Sequence, residues 1–152
     1  MRCRVALALG LSMVSVAACA QQSPPMPSTC TDTDVAGYER ALTRAPGSVR
    51  LPGGVAISDC LRKVRTDADL QTLGSVVHGV AEDLVQRARQ GDDHAAARLG
   101  YLSGAVSRGA ARSDGISAEL ARRVETATVA LSDDTRWLRD LRHGADAGAA
   151  RG

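Results

Sequence analysis

Between Thr66 and Gln90 the apolar side chains Leu70, Leu73, Val77, Val80, Leu84 and Ala88 recur every three or four positions, with Val76, Ala81 and Val85 widening the stripe. That period belongs to a helix with one face in a core. Thr66 with Asp69 has the form of a capping box at its start, and Gly91 follows its end. A long helix with a single apolar stripe must be covered by other elements. No other stretch sustains the alternation of β-branched residues that a strand needs, so the expected cover is helical.

The remaining punctuation agrees. Helices are expected over about 34–45, stopped by Pro46-Gly47, and over about 58–64, with Ser58 as cap. Between them, Pro52 and Gly53 suit the central positions of a type II turn. Asp92 or Asp93 can cap a helix reaching about Arg112, with Ala95, Leu99, Leu102, Val106 and Gly109 facing inward. Ser117 to Leu131 directs Leu120, Val124, Ala127 and Leu131 inward, with Glu119 and Arg123 as an outward pair. A last helix from Ser132 or Asp133 carries Trp137, Leu138 and Leu141. The fold expected is all-α, a small bundle of four to five helices with an Ala/Leu/Val core, its short connections favouring antiparallel neighbours.

Phenylalanine is absent, and Trp137, Tyr38 and Tyr101 are the only aromatics, so the helices must approach closely rather than interleave rings. Gly100 and Gly104, beside Ala96 and Ala97, form the flattest face, and core packing is its expected use. Residues 144–152, GADAGAARG, have no apolar periodicity and are expected to be a disordered tail.

At the front, Arg2 and Arg4 precede an apolar run from Val5 to Ala18. As a helix this run spans roughly 21 Å, against a hydrocarbon core of about 30 Å, so it has the layout of a secretory signal rather than a membrane span. Val16-Ala17-Ala18-Cys19 resembles the lipobox of bacterial lipoproteins: an aliphatic residue, two small ones, then cysteine. The resemblance covers only residues 1–20, and Val16 stands where leucine is more usual. It implies cleavage before Cys19, transfer of a diacylglyceryl group to its thiol, and an extracytoplasmic protein anchored to the cell membrane or outer membrane. Ala20, rather than Asp, after the cysteine departs from the inner-membrane retention pattern of some Gram-negative lipoproteins, leaving outer-membrane sorting open. The rest of the chain resembles small lipoproteins of GC-rich bacteria. Ala18-Cys19-Ala20 also fits ordinary signal cleavage, which would release a soluble protein starting at Gln21.

The expected organisation is a signal peptide over 1–18, a Pro-rich tether over 19–31, a helical domain over 32–143 and the tail. The stretch QQSPPMPST carries three prolines, and as an extended tether it reaches about 30 Å. With Cys3 in the leader and Cys19 acylated or removed, Cys30 and Cys60 remain and are expected to pair in an oxidising compartment.

The chain has 19 Lys plus Arg and 17 Asp plus Glu; without Arg2 and Arg4 the signs balance at 17 each. That balance and the scarcity of stacking aromatics argue against nucleic acid as a partner. No HExxH, GxSxG, P-loop or CxxC motif occurs, and neither a catalytic residue, a cofactor nor a metal site is expected. His78 reads as a core or edge histidine, Asp92-Asp93-His94 as a helix start, and His143 as a helix C-terminus. One surface rises above this background: Arg98, Tyr101, Arg108 and Arg112 fall at helical spacing, a stripe of guanidiniums and a phenol suited to binding. Three classes of function follow. The first is a noncatalytic envelope module that docks a protein or polymer, the second a small-ligand carrier with an apolar cavity between helices, and the third a hydrolase with a scattered site.

Overall fold

A computed structural model describes residues 25–113 and 115–152. The leader, Cys19 and the first part of the tether lie outside them. Seven α-helices and one 3-10 turn follow in order: α1 (Thr29–Asp32), α2 (Val35–Leu42), the 3-10 turn Pro52–Gly54, α3 (Ile57–Arg62), α4 (Asp67–Arg89), α5 (Ala95–Ala110), α6 (Ala118–Ser132) and α7 (Thr135–Arg151). The protein is all-α, with no strand among the described residues. The count exceeds four to five; α3 answers the stretch expected over about 58–64 and α1 is additional, and both, of six and four residues, are too short to persist alone and exist through what they pack against.

Local chemistry sets most boundaries. Thr66 Oγ1 accepts from the Asp69 N–H at 3.1 Å while Asp69 Oδ2 accepts from the Thr66 N–H at 3.2 Å, completing the capping box of α4. Asp34 caps α2 through the Gly37 N–H at 2.8 Å. Gly53, at φ 74° and ψ 8°, takes the third position of a turn closed by the Gly54 N–H on the Leu51 carbonyl at 3.0 Å, a backbone conformation that glycine adopts without strain. Ser58 is not a cap. It lies buried inside α3, where its hydroxyl donates to the Gly152 carbonyl.

Helix α5 occupies the centre: 11 of its 16 residues are buried, and α3, α4, α6 and α7 all touch it. Its closest neighbour is α7. A Cβ on Gly100 would lie 2.1 Å from the Leu141 carbonyl oxygen, and one on Gly104 2.1 Å from that of Ala145. In return, a Cβ on Gly144 would lie 2.1 Å from the Ala97 oxygen, and one on Gly148 2.1 Å from that of Tyr101. The two backbones therefore touch at four glycines, two from each helix. Contact positions rise together along both chains, so α5 and α7 run parallel, with α6 as the return between them. The dominant pair is thus not the antiparallel neighbour that short connections favour.

This interlock corrects the reading of 144–152 as a disordered tail. Helix α7 continues to Arg151, with Gly144, Ala147 and Gly148 buried. Apolar periodicity is missing there because glycine and alanine, at steps of three and four, provide close approach instead of bulk. Parallel alignment brings the partly negative C-terminal ends of both helices together. Two arginines offset this: Arg108 donates to the Ala149 carbonyl at 2.9 Å and to that of Ala150, and Arg50 donates to the Arg151 carbonyl at 3.0 Å.

The core joins Leu73, Val77, Val80 and Leu84 of α4 to Leu99, Leu102 and Val106 of α5 and to Leu120, Val124 and Leu131 of α6. Tyr38 and Tyr101 are its largest fully buried side chains, and each hydroxyl has a partner: Tyr38 donates to the Cys30 carbonyl at 3.0 Å, and Tyr101 accepts from the Val49 N–H at 3.3 Å. Cys30 and Cys60 are bonded, with 5.6 Å between their Cα atoms. The cystine pins α1 to α3, and both residues are fully buried.

Candidate functional site

Helical spacing groups Arg98, Tyr101, Arg108 and Arg112 on one stripe, but the fold gives them separate tasks. Tyr101 is buried beneath α7 and the Val49 backbone. Arg108 is spent on the last carbonyls of α7. Arg98 donates to Asp92 at 3.3 Å, and of the four only Arg112 is exposed. The four residues therefore do not form one open face. The spacing was sound; what it did not carry was the presence of α7 on that side of α5.

The other singled-out residues fall as follows. His78 is exposed, its Nε2 3.2 Å from Glu82 Oε1. Neither Asp92 nor Asp93 caps α5: His94 takes the cap position without a side-chain hydrogen bond, and Asp92 Oδ1 accepts from the His94 N–H at 2.9 Å in the turn before it. His143 is exposed on α7, whose C-terminus lies eight residues further on than the expected end. Among the described residues no group of three or more His, Cys, Asp or Glu side chains is placed to hold a metal ion.

Two features stand out in their place. The first is a charged cluster joining α2 to α4. Arg87 donates to Glu39 Oε2 at 2.8 Å and to Asp83 Oδ2 at 2.6 Å, and a cleft of about 200 Å³ bounded by Thr43, Leu84 and Arg98 lies alongside. Glu39 is only 14% exposed, and its other oxygen is buried without a hydrogen-bond partner. Burial pushes the Glu39 carboxyl up to about 7, helped by the hydrogen bond and charge of Asp83 and opposed by Arg87 and Arg98. Asp83 is held below the usual carboxylate range by its hydrogen bond to Glu39 and by Arg87. Of the two carboxyls, Glu39 is therefore the one that takes up a proton more readily, and Asp83 the one that stays ionised beside Arg87. Nothing in the sequence marks this pair, because 44 positions separate its members.

The second feature is a groove between α4 and α6. Two open clefts, of about 540 and 670 Å³, meet at His78 and Arg123 and together run along both helices. Leu70, Leu120 and Ala127 supply apolar lining, while Glu82, Arg89 and Glu119 stand at the rim. Gly74 keeps the wall of α4 flat: a Cβ there would sit 3.8 Å from Leu120 Cδ1, an ordinary contact. Glu119 pairs with Arg123 at 3.0 Å, as its spacing implied, and also with Arg122. The groove is chemically suited to an amphipathic segment; Ser75 and His78 both line it, and His78 is paired with Glu82.

No family model, no curated protein and no solved structure matches this chain. No helix among the described residues is long and apolar enough to cross a membrane.

Proposed function

We propose that the protein is a lipid-anchored, extracytoplasmic interaction module that works without catalysis, held by Cys19 and presenting its helical body to a protein or polymer of the cell envelope. The observation that carries this reading is the buried Cys30–Cys60 cystine, close behind the lipobox-like leader. Disulfides persist in oxidising compartments and are rare in the cytosol. The bond also fixes the point at which a tether would enter the fold, so tension along the tether is borne covalently by α3. Two acyl chains or more hold a protein on a bilayer durably, whereas one binds only marginally.

The open groove between α4 and α6 favours a docking role over the carrier reading, which needs an enclosed apolar cavity. The experiment is a Cys19→Ser variant expressed in a bacterium with a lipoprotein pathway. It is expected to leave the membrane fraction, while the parent remains there after salt and carbonate washes. Equal partitioning of the two would remove the anchor. For docking, a photocrosslinker placed at Ser75 or Thr126 in the groove should give a discrete adduct in intact cells, and one at Arg139 on α7 should not.

A further inference from the structure

Arg40 and Arg44 lie one turn apart along α2, the second just past its last residue, and both are exposed. Neither has an ion-pair partner among the described residues. Across a cleft of about 740 Å³, the facing wall is the segment Arg50–Gly54, so a third guanidinium lines the same space. Arg50 is held by carbonyls, those of Val49 at 2.9 Å and Arg151 at 3.0 Å, rather than by a carboxylate. Carbonyl hydrogen bonds orient a guanidinium without neutralising it. Three guanidiniums thus line one cleft, none of them ion-paired among the described residues although Arg50 is also engaged by the end of α7, in a chain whose signs otherwise nearly balance.

Asp32 and Asp34 line the same cleft; one Asp34 oxygen is already committed to the Gly37 N–H, and a Cβ on Gly37 would lie 3.1 Å from that oxygen and 3.6 Å from Arg40 Nη2. A polyanion laid along the cleft would meet these carboxylates, which disfavours nucleic acid or a long acidic polymer. A single phosphate-sized group needs only part of the cleft, and three guanidiniums against two carboxylates leave that lining net positive. Guanidinium forks match phosphate oxygens in bidentate fashion. We propose that this cleft binds one phosphate monoester or diester, and that its source is the headgroup of an anionic phospholipid. The cleft adjoins the point where the tether enters the fold: Thr29 of α1 donates to the Pro52 carbonyl in the cleft wall at 3.1 Å. A body moored by Cys19 would meet the bilayer on this side. The choice of source rests on the anchored reading; the cleft and its phosphate chemistry do not.

The test uses the full chain, with inorganic phosphate as one probe and vesicles of phosphatidylcholine with and without phosphatidylglycerol as the others. The quantity read is the phosphatidylglycerol-dependent gain in vesicle binding, since leader and acyl contributions are common to all variants and cancel. R40A/R44A removes two exposed, unpaired arginines, and R139A/R142A removes the same charge from exposed positions on α7. At about tenfold or less per arginine near an anionic surface, the first pair should cut the gain about 10- to 30-fold and the second less than about twofold. Phosphate should also shift the backbone amide resonances of Gly37, Arg40 and Gly54 in the parent and not in R40A/R44A. Phosphate shifts without any vesicle gain keep the site and assign it to free phosphate. An equal loss in both double variants, or neither shifts nor gain in the parent, overturns the proposal. Loss of the anchor is read separately, from the fractionation of Cys19→Ser, so the two failures are distinguishable.

Discussion

Replacing Gly104 by Ala places a methyl group 2.1 Å from the Ala145 carbonyl oxygen and 2.8 Å from the Ala149 nitrogen. Both obstacles are backbone, so no side chain can swing aside. The shortfall from ordinary contact is about 1.3 Å, and in an interior without free volume it is relieved only by moving one helix against the other. Overpacking of this kind costs about 1 to 3 kcal/mol and occasionally more, whereas the helix-propensity gain of Gly to Ala is at most about 1 kcal/mol. A net loss of roughly 2 kcal/mol is expected for Gly104→Ala, and a similar loss for Gly148→Ala. At about 2 to 8 °C per kcal/mol for domains of this general size, the melting temperature should drop by roughly 4 to 16 °C. Gly74→Ala is the control: its Cβ would meet only Leu120 at 3.8 Å, and a gain of about 0.5 to 1 kcal/mol is expected. The double variant G104A/G148A should cost less than the sum of its parts, because the first methyl group already opens the gap that the second needs. Urea denaturation of the four variants decides the matter. If Gly104→Ala were neutral or stabilising, the backbone contact between α5 and α7 would not exist.

Other outcomes follow from single contacts. Arg108→Ala should cost about 1 to 2 kcal/mol and speed hydrogen exchange at residues 148–151, since it releases the carbonyls of Ala149 and Ala150; Arg112→Ala should leave both unchanged. Replacing Cys30 and Cys60 by Ala should lower stability by roughly 2 to 5 kcal/mol, read from the urea midpoint against the oxidised parent. The Glu39 carboxyl is raised in the folded state, so its contribution is full below about 4.5 and is lost as the pH rises through about 7. Stability should therefore fall across that window in the parent, and Glu39→Gln should flatten the fall; an unchanged slope would contradict a raised Glu39 carboxyl.

How far residues revealed this fold depends on what kind of signal each carried. The Thr66–Asp69 capping box and the apolar stripe of α4 are local, and both stand in the structure. The second half of α7 is local too, but its signal is the spacing of Gly144 and Gly148, which lacks bulk and reads as disorder when only hydrophobicity is followed. Gly100 and Gly104 pointed to a flat face and could not name its partner, because a glycine contact is defined by the opposing backbone. The stripe from Arg98 to Arg112 shows the same limit from another side. Spacing places residues on one helix face, while tertiary packing decides whether that face is open. The Glu39–Asp83 pair and the cleft of Arg40, Arg44 and Arg50 each draw on separate elements, and only the fold brings them together.

The anchored role turns on the chemistry of one sulfur. Intact-mass measurement of the protein extracted from its own membranes reads that chemistry directly. The expected species begins at Cys19 and carries the added mass of a diacylglyceryl group, with the Cys30–Cys60 bond intact. A mature chain that begins at Gln21 without acyl mass would contradict the account.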